Sequence, residues 1–204
     1  MRSAAAEAKA LAKEKGTFLP VFLADMVMEK TQSASQAVEL TEGIHVVPEF
    51  LGNRAPFADP HARAVIAGLG MENNLNNLLS LYIAGVCGIG YGLRQIIEAQ
   101  AKAGAVIENI VISGGAGQHP FVRQLLADTC GVTVIATQAS EPVLLGSAIL
   151  GAVAGGVFGD VRQAMAHFSA IDRTYQPNEA YREQHSIRFT SFQCLQQCAR
   201  ELKG

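Results

Sequence analysis

Apolar residues recur along the chain at distinct spacings, and each spacing predicts a type of local structure. From Leu75 onwards they return every three or four positions, which predicts one long amphipathic helix over 75–103, ended by Gly104. Two shorter apolar runs, at 107–112 and 132–136, are typical of strands. We expect the first of these strands to be buried on both faces, because its last residues are continuously apolar.

A helix over 120–130 is predicted between these two strands, with a proline in its first turn and Gly131 at its end. The order strand, helix, strand, helix after residue 105 indicates a parallel α/β unit with right-handed crossovers. Further helices are predicted at 4–15, 19–30, 142–154, 161–168 and 181–202.

The segment 45–51 is short and rich in β-branched and aromatic residues, which predicts a strand. Pro48 places this strand at a sheet edge or at a strand end. Residues 52–60 are rich in glycine, proline and asparagine and predict a long loop. A loop that leaves a strand end can present polar side chains to a cleft.

The composition is that of a globular protein, with 49% hydrophobic and 17% charged residues in 204. A net charge of −2 and the lack of a basic run argue against nucleic-acid binding. The segment 142–159 carries no charge, but it has five glycines and acidic flanks. We therefore expect a buried helix there rather than a membrane span.

The cysteines do not follow the spacing of a disulfide framework or a zinc site, because no CxxC and no Cys/His ligand pattern occurs. A reducing, cytoplasmic environment is therefore expected. The N-terminal residues mix alanine with charges and lack the apolar core of a signal peptide.

A glycine turn, Ser-Gly-Gly-Ala-Gly-Gln-His-Pro at 113–120, connects the strand at 107–112 to the next helix. Ligands bind at this position in parallel α/β sheets, beyond the carboxyl ends of the strands. The turn matches neither the GxGxxG dinucleotide fingerprint nor the GxxxxGK[ST] phosphate loop. Taken alone, it is equally well explained as a tight turn that needs glycine for its geometry.

Three segments in fixed order carry a resemblance to a known family. Residues 46–60, Val-Val-Pro-Glu-Phe-Leu-Gly-Asn-Arg-Ala-Pro-Phe-Ala-Asp-Pro, followed by Gly68-Leu69, are similar to a GNR-[ST]-P-x-A-[DN]-P loop. The turn at 113–120 is similar to an adenosine motif, G-G-x-x-[KA]-N, and residues 139–151 are similar to S-E-[AP]-x-x-L-G-A-A. Together they resemble the C-terminal domain of the FGGY carbohydrate kinases, in the ribulokinase-like branch, over about residues 7–190.

The resemblance implies an α/β fold, that of the C-terminal domain of an actin-like ATPase (ribonuclease H-like), incomplete and lacking its first strands. We expect residues 1–170 to form this partial domain and 171–204 to form a C-terminal extension and helix. Missing strands would leave sheet edges and apolar helix faces uncovered. A homodimer or a partner chain is therefore expected.

The resemblance also implies a nucleotide site, in which the turn lies under the adenine and ribose of ATP or ADP. The corresponding residues here are Gly114, Gly115, Ala116, Gln118 and His119. Relatives commonly have asparagine at position 119, where an imidazole can still hydrogen-bond or stack on a purine. The alternative is that His119 only caps the helix that follows.

In the first loop, Asn53 and Arg54 are candidates for the substrate side or the interdomain cleft. The alternative for Arg54 is a structural role, bonded to Asp59 or to carbonyl groups. Glu141 is expected to be an acid near a helix N-terminus rather than a catalyst. The small residues that follow it, at 146–151, are expected to allow close helix packing.

The implied activity of the parent protein is ATP-dependent phosphorylation of a ketopentose such as D-ribulose, with Mg²⁺. In this family the aspartate base, the phosphate-binding loops and most sugar contacts lie in the N-terminal domain and at the start of the C-terminal domain. We therefore expect no catalytic residue and no metal ligand in this chain, and no activity from the chain alone. The alternative is a non-catalytic binding or dimerisation module derived from such a kinase.

Overall fold

The computed structural model describes residues 3–41, 43–114, 118–139 and 141–202. Its helices and strands follow one another along the chain as an irregular α/β unit. In order they are α1 (Ala4–Glu14), α2 (Leu19–Lys30), a 3₁₀ helix (Ser35–Thr41), β1 (His45–Val47), β2 (Val65–Ala67), α3 (Leu75–Lys102), β3 (Asn109–Ile112), α4 (Pro120–Cys130), β4 (Thr133–Thr137), α5 (Pro142–Ala154), α6 (Val161–Phe168), β5 (Ile171–Tyr175), a 3₁₀ turn (Glu179–Tyr181) and α7 (Arg182–Glu201).

The larger sheet has the strand order β3-β4-β5. Strands β3 and β4 are parallel, with Ile110 opposite Val134, so the predicted β3–α4–β4 unit is confirmed. Strand β5 runs antiparallel to β4 and places Tyr175 opposite Val134. A separate antiparallel pair joins β1 to β2.

The core is built around α3, whose buried face includes Ile83 and Tyr91. Side chains from α2, α4 and α7 pack on this face, among them Phe22, Phe121 and Phe189. Glycines bring α3 close to its neighbours: a Cβ at Gly88 would clash with the carbonyl of Val46, and one at Gly90 with the side chain of Thr129. The apolar stripe read from the sequence is therefore the centre of the molecule.

One face of the larger sheet packs against α3 and α4 through Ile110, Ile112, Val134, Ala136 and Tyr175. The expectation that β3 is buried on both faces is wrong, because Val111 on the other face is 63% exposed. Among the described residues β3 has a neighbouring strand only on the β4 side, so it forms an edge of the sheet.

Helix α5 lies on the other face of the sheet, and the expectation that it is buried is also wrong. Only Ile149 of its residues is buried, whereas Val143 is 80% and Leu144 66% exposed. The close packing expected of its small residues is not seen, because a Cβ at Gly146 or Gly151 would meet nothing within 4 Å. Within the described part of the chain, no helix is both long and apolar enough to cross a membrane.

The residues after 170 return to the same sheet and core. Strand β5 extends the sheet next to β4, and α7 packs on β1, α3 and α4. Phe189 and Phe192 of α7 are both buried in the central cluster. The domain boundary at 170 stays a prediction.

Candidate functional site

The glycine turn leaves the carboxyl end of β3 and leads directly into α4. Gly114 has a φ of 93°, a left-handed conformation that other residues adopt only with strain. Gln118 is exposed on the other side of the turn. Two of the predicted nucleotide-binding residues, Gly115 and Ala116, lie outside the described residues.

His119 is the N-cap residue of α4, and both nitrogens of its ring are used. Its Nδ1 accepts the backbone N–H of Phe121 at 3.1 Å, so Nε2 of the neutral ring carries the proton. That Nε2 donates to Oδ1 of Asp25 on α2, also at 3.1 Å. The side chain is 17% exposed. The capping role considered above is therefore present, and Asp25 fixes the orientation of the ring.

Two cavities border the turn. One of about 550 Å³ is lined by Pro120 and Phe121, by residues 33–35 and by residues 176–179. The other, of about 410 Å³, lies at the carboxyl ends of β3 and β4 and is lined mainly by apolar side chains of the sheet and α5. Ser113 contributes to this second cavity.

The wall of the first cavity is held by a buried carboxylate. Asp128 Oδ1 accepts the side-chain amide of Gln124 at 2.9 Å and the backbone N–H of Asn178 at 2.8 Å. Burial raises the pKa of Asp128, and its hydrogen bonds to Asn178 and other donors oppose that rise. Its role is to join α4 to the segment before α7.

The loop at 52–60, here called the GNR loop, is closed by Asn53. The backbone groups of Asn53 and Asp59 pair in both directions at 2.7 Å. The Asn53 side chain accepts the backbone N–H of Phe57 at 3.2 Å and donates to Oε1 of Glu49. Arg54 is exposed. Asn53 therefore supplies the structural contacts of the loop, and Arg54 lies on its surface.

The two predicted sites contact different parts of the chain. The glycine turn is attached to α2 through Asp25, whereas the GNR loop is attached to α7, where Gln196 donates to Glu49 at 2.6 Å. Sequence analysis missed Asp25, Glu49 and Gln196 as contributors to these sites. Glu49 stands within the quoted segment before the loop, but nothing in the pattern of α7 distinguishes Gln196 from its exposed polar neighbours.

Other predicted features have a weaker structural basis. Glu141 is exposed and occupies the N-cap position of α5 without a side-chain hydrogen bond to the helix. In the ranges that the structure describes, no group of three or more His, Cys, Asp or Glu side chains is arranged to hold a metal ion.

Comparison with known proteins identifies the family to which the chain belongs. The sequence profile of the FGGY family of carbohydrate kinases, C-terminal domain, matches residues 2–155. The chain belongs to the FGGY family of carbohydrate kinases. Both the GNR loop and the glycine turn of this FGGY chain lie within the matched residues, and α7 lies beyond them.

Curated relatives are much longer than this FGGY chain. It is 37% identical over 153 residues to the FGGY carbohydrate kinase domain-containing protein of Homo sapiens, covering 75% of the chain and 28% of that relative. It is 33% identical over 148 residues to the glycerol kinase of Shewanella amazonensis, covering 72% of the chain and 29% of that relative. The chain thus spans less than a third of the length of these two proteins.

Solved structures show the same fold. The xylulose kinase of Lactobacillus acidophilus, bound to a ligand, superposes with a TM-score of 0.68 at 21% identity, covering 94% of this FGGY chain and 37% of that one. The Plasmodium falciparum glycerol kinase with ADP superposes with a TM-score of 0.61 at 19% identity, covering 98% and 37%. The expected fold, that of a partial C-terminal domain of an actin-like sugar kinase, is confirmed.

Proposed function

We propose that this chain is the nucleotide-side part of an ATP-dependent sugar kinase. The observation that carries the proposal is the position of the glycine turn, between the carboxyl end of β3 and the first turn of α4, in a chain of the FGGY family. Helix N-termini and strand ends of this kind are where α/β proteins bind anionic and nucleotide ligands.

In this proposal the adenine and ribose of ATP or ADP contact Gly114, Gly115, Ala116, Gln118 and His119. The positive φ of Gly114 and the absence of its side chain let the backbone approach the nucleotide closely. Because both ring nitrogens of His119 already have partners, we expect it to contribute the face of its ring to the purine. Asparagine at this position would instead offer an amide.

The proposed substrate is a ketopentose such as D-ribulose, which the resemblance of the GNR loop sequence favours. The named relatives and neighbours include kinases for glycerol and xylulose, so the sugar is a finer proposal than the family. Asn53 and Arg54 are proposed to lie on the substrate side of the cleft. Arg54 is accessible there, and Asn53 shapes the loop that carries it.

We propose that the chain alone does not catalyse phosphoryl transfer. The reaction requires the γ-phosphate, Mg²⁺ and the acceptor hydroxyl to be held in line. We assign the Mg²⁺ ligands to other parts of the complete kinase. In this proposal the chain supplies the glycine turn and the GNR loop, which orient substrates but do not transfer protons.

A second candidate is a binding or dimerisation module without turnover. The observation that favours it is the exposed apolar surface formed by Val111 of β3 and by Val143, Leu144 and Leu150 of α5, which we call the α5 surface. An open strand edge beside exposed apolar residues is a docking surface for another chain. In this candidate a second copy or a partner chain covers the α5 surface, and no nucleotide is needed.

Calorimetric titration of the chain with ADP and ATP distinguishes the two candidates. The proposal expects saturable binding and a rise in melting temperature with nucleotide. His119→Asn, which keeps a capping side chain, is expected to bind, whereas Gly114→Val is expected to bind more weakly. No binding at millimolar nucleotide would contradict the adenosine site. Phosphorylation of D-ribulose by the chain alone would contradict the proposed inactivity.

A further inference from the structure

We propose that Gln196 and Arg200 of α7 are positioning residues that set the conformation of the GNR loop. The contact between helix and loop lies within this chain and involves no ligand, and its importance for a sugar rests on the function proposed above. The residues of α7 lie outside the region that the family profile matches, so the profile assigns them no role.

The first contact is a buried hydrogen-bond network that ends on the loop. Gln196, 3% exposed, donates through Nε2 to Oε1 of Glu49 at 2.6 Å and to Oε1 of Gln95 at 3.2 Å. Gln95 returns a hydrogen bond from its Nε2 to Oε1 of Gln196 at 2.8 Å. Asn53 donates to the same Glu49 Oε1. A single carboxylate oxygen thus joins α7 to the residue that closes the loop.

The second contact lies one helical turn further along α7. The guanidinium carbon of Arg200 lies 3.3 Å from the centre of the Phe57 ring. Phe57 is the residue whose backbone N–H bonds to the Asn53 side chain. Residues four apart lie on the same face of a helix, so Gln196 and Arg200 approach the loop from the same side. Gln196 is linked to Asn53 through Glu49, and Arg200 packs on Phe57, so the two residues hold both partners of the Phe57–Asn53 hydrogen bond.

Burial makes the network sensitive to the loss of a donor. Glu49 is 6% exposed, and its Oε2 has no hydrogen-bond partner among the described residues. Removing the Gln196 amide would leave this buried carboxylate with Asn53 as its remaining described donor. A buried carboxylate with fewer donors is less stable, so the Glu49–Asn53 contact should break more easily and the loop should open more often.

Arg54 is the residue whose placement depends on this arrangement. It follows Asn53 directly, and it is exposed beyond the backbone pair that Asn53 forms with Asp59. If α7 holds Asn53, it also determines where Arg54 points. In this proposal the C-terminal helix influences the placement of Arg54 through Asn53.

Amide hydrogen exchange measured by NMR on the full chain tests the proposal without any substrate. Gln196→Leu should speed exchange at Asn53, Phe57 and Asp59 by about tenfold or more, while the buried amides of Ile83 and Ala84, in the part of α3 away from Gln95, keep their wild-type rates. The matched control is Gln197→Leu on the exposed neighbour, which should leave the loop unchanged. Nucleotide binding at the glycine turn should be the same in both variants, so failure here is distinct from failure of the proposed function.

A double variant in which the two side chains trade places tests whether the hydrogen bond itself is required. In Glu49→Gln/Gln196→Glu the bond between positions 49 and 196 can form again, so amide hydrogen exchange in the loop should be as slow as in the wild type. Equal acceleration in the loop and at Ile83 and Ala84 would overturn the proposal, since it would reveal only lost global stability. Wild-type loop rates in Gln196→Leu would overturn it as well. If that variant does not fold, Arg200→Ala on the partly exposed end of α7 must loosen Phe57, and unchanged rates there would refute the idea.

Discussion

Lowering the pH from about 7 to about 5 should destabilise the folded chain by about 2 kcal/mol through one buried side chain, His185. This imidazole is 1% exposed and shares a 2.9 Å hydrogen bond with the hydroxyl of Tyr91. Burial, and to a smaller degree the positive charges of Arg188 and Arg94, lower its pKa from 6.5 to about 4.

The direction follows from where each state binds the proton. Below the unfolded value of 6.5 the unfolded chain protonates His185, whereas the folded chain resists until about 4. The stability that this difference in pKa contributes is therefore complete above pH 6.5 and is lost as the pH falls towards 4, by about 3 kcal/mol in total. At about pH 5 the solution is about 1.5 pH below the unfolded pKa, and each step of 1 in pH costs about 1.4 kcal/mol in this range, which gives the figure of about 2 kcal/mol.

Urea unfolding of the wild type and of His185→Gln at both pH values measures this contribution. The variant cannot titrate at this position, so its stability should depend less on pH by about 2 kcal/mol. His61→Gln, at an exposed histidine, is the matched control and should retain the wild-type dependence. Asp128 has a raised pKa and acts in the opposite direction, which the comparison of variants cancels. Equal pH dependence in wild type and His185→Gln would refute the reasoning.

Three further predictions concern the glycine turn and the α5 surface. Gly114→Ala should cost about 1–2 kcal/mol in urea unfolding because its φ of 93° strains any residue with a Cβ, whereas Gly146→Ala, in open space, should not destabilise. His119→Ala should lose about 1 kcal/mol with the cap of α4, and His119→Asn should keep most of it; equal losses would contradict the capping role. Leu144→Glu should reduce any self-association seen by analytical ultracentrifugation, and Glu183→Gln on the exposed start of α7 should not.

The elements that the sequence predicted well are those with a strong local signal. Helix α3 follows from its apolar spacing, and α4 follows from Pro120 at its start and the left-handed Gly131 at its end. Strand β5 was not predicted, because all of its residues except Tyr175 are exposed and its Ile-Asp-Arg-Thr-Tyr sequence has no apolar alternation. Its place in the sheet comes from pairing with β4, which a local pattern cannot report.

Burial was harder to predict than element type. The apolar sequences of α5 and β3 indicated burial, but Val143 and Val111 are exposed because the described residues do not cover them. An apolar residue is more stable when it is buried, but its sequence does not show whether the surface that buries it belongs to the same chain.

The supporting contacts of the candidate sites were not predicted from the sequence. The capping role of His119 was among the expected alternatives, since it precedes a proline-initiated helix. Its partner Asp25 is 94 residues away, and Gln196 is 147 residues from Glu49. Contacts over such separations depend on how α2 and α7 pack, and a single sequence carries no signal for them.

The outer edge of β3 makes this chain suited to fragment complementation. A separately expressed segment that adds a strand there would pair with the backbone of β3 and extend the sheet, so binding and sheet growth would be a single event. The thermal stability of such a pair would report on the association of its two parts. A reporter fused to α7, on the opposite face of the sheet from α5, would leave that junction unobstructed.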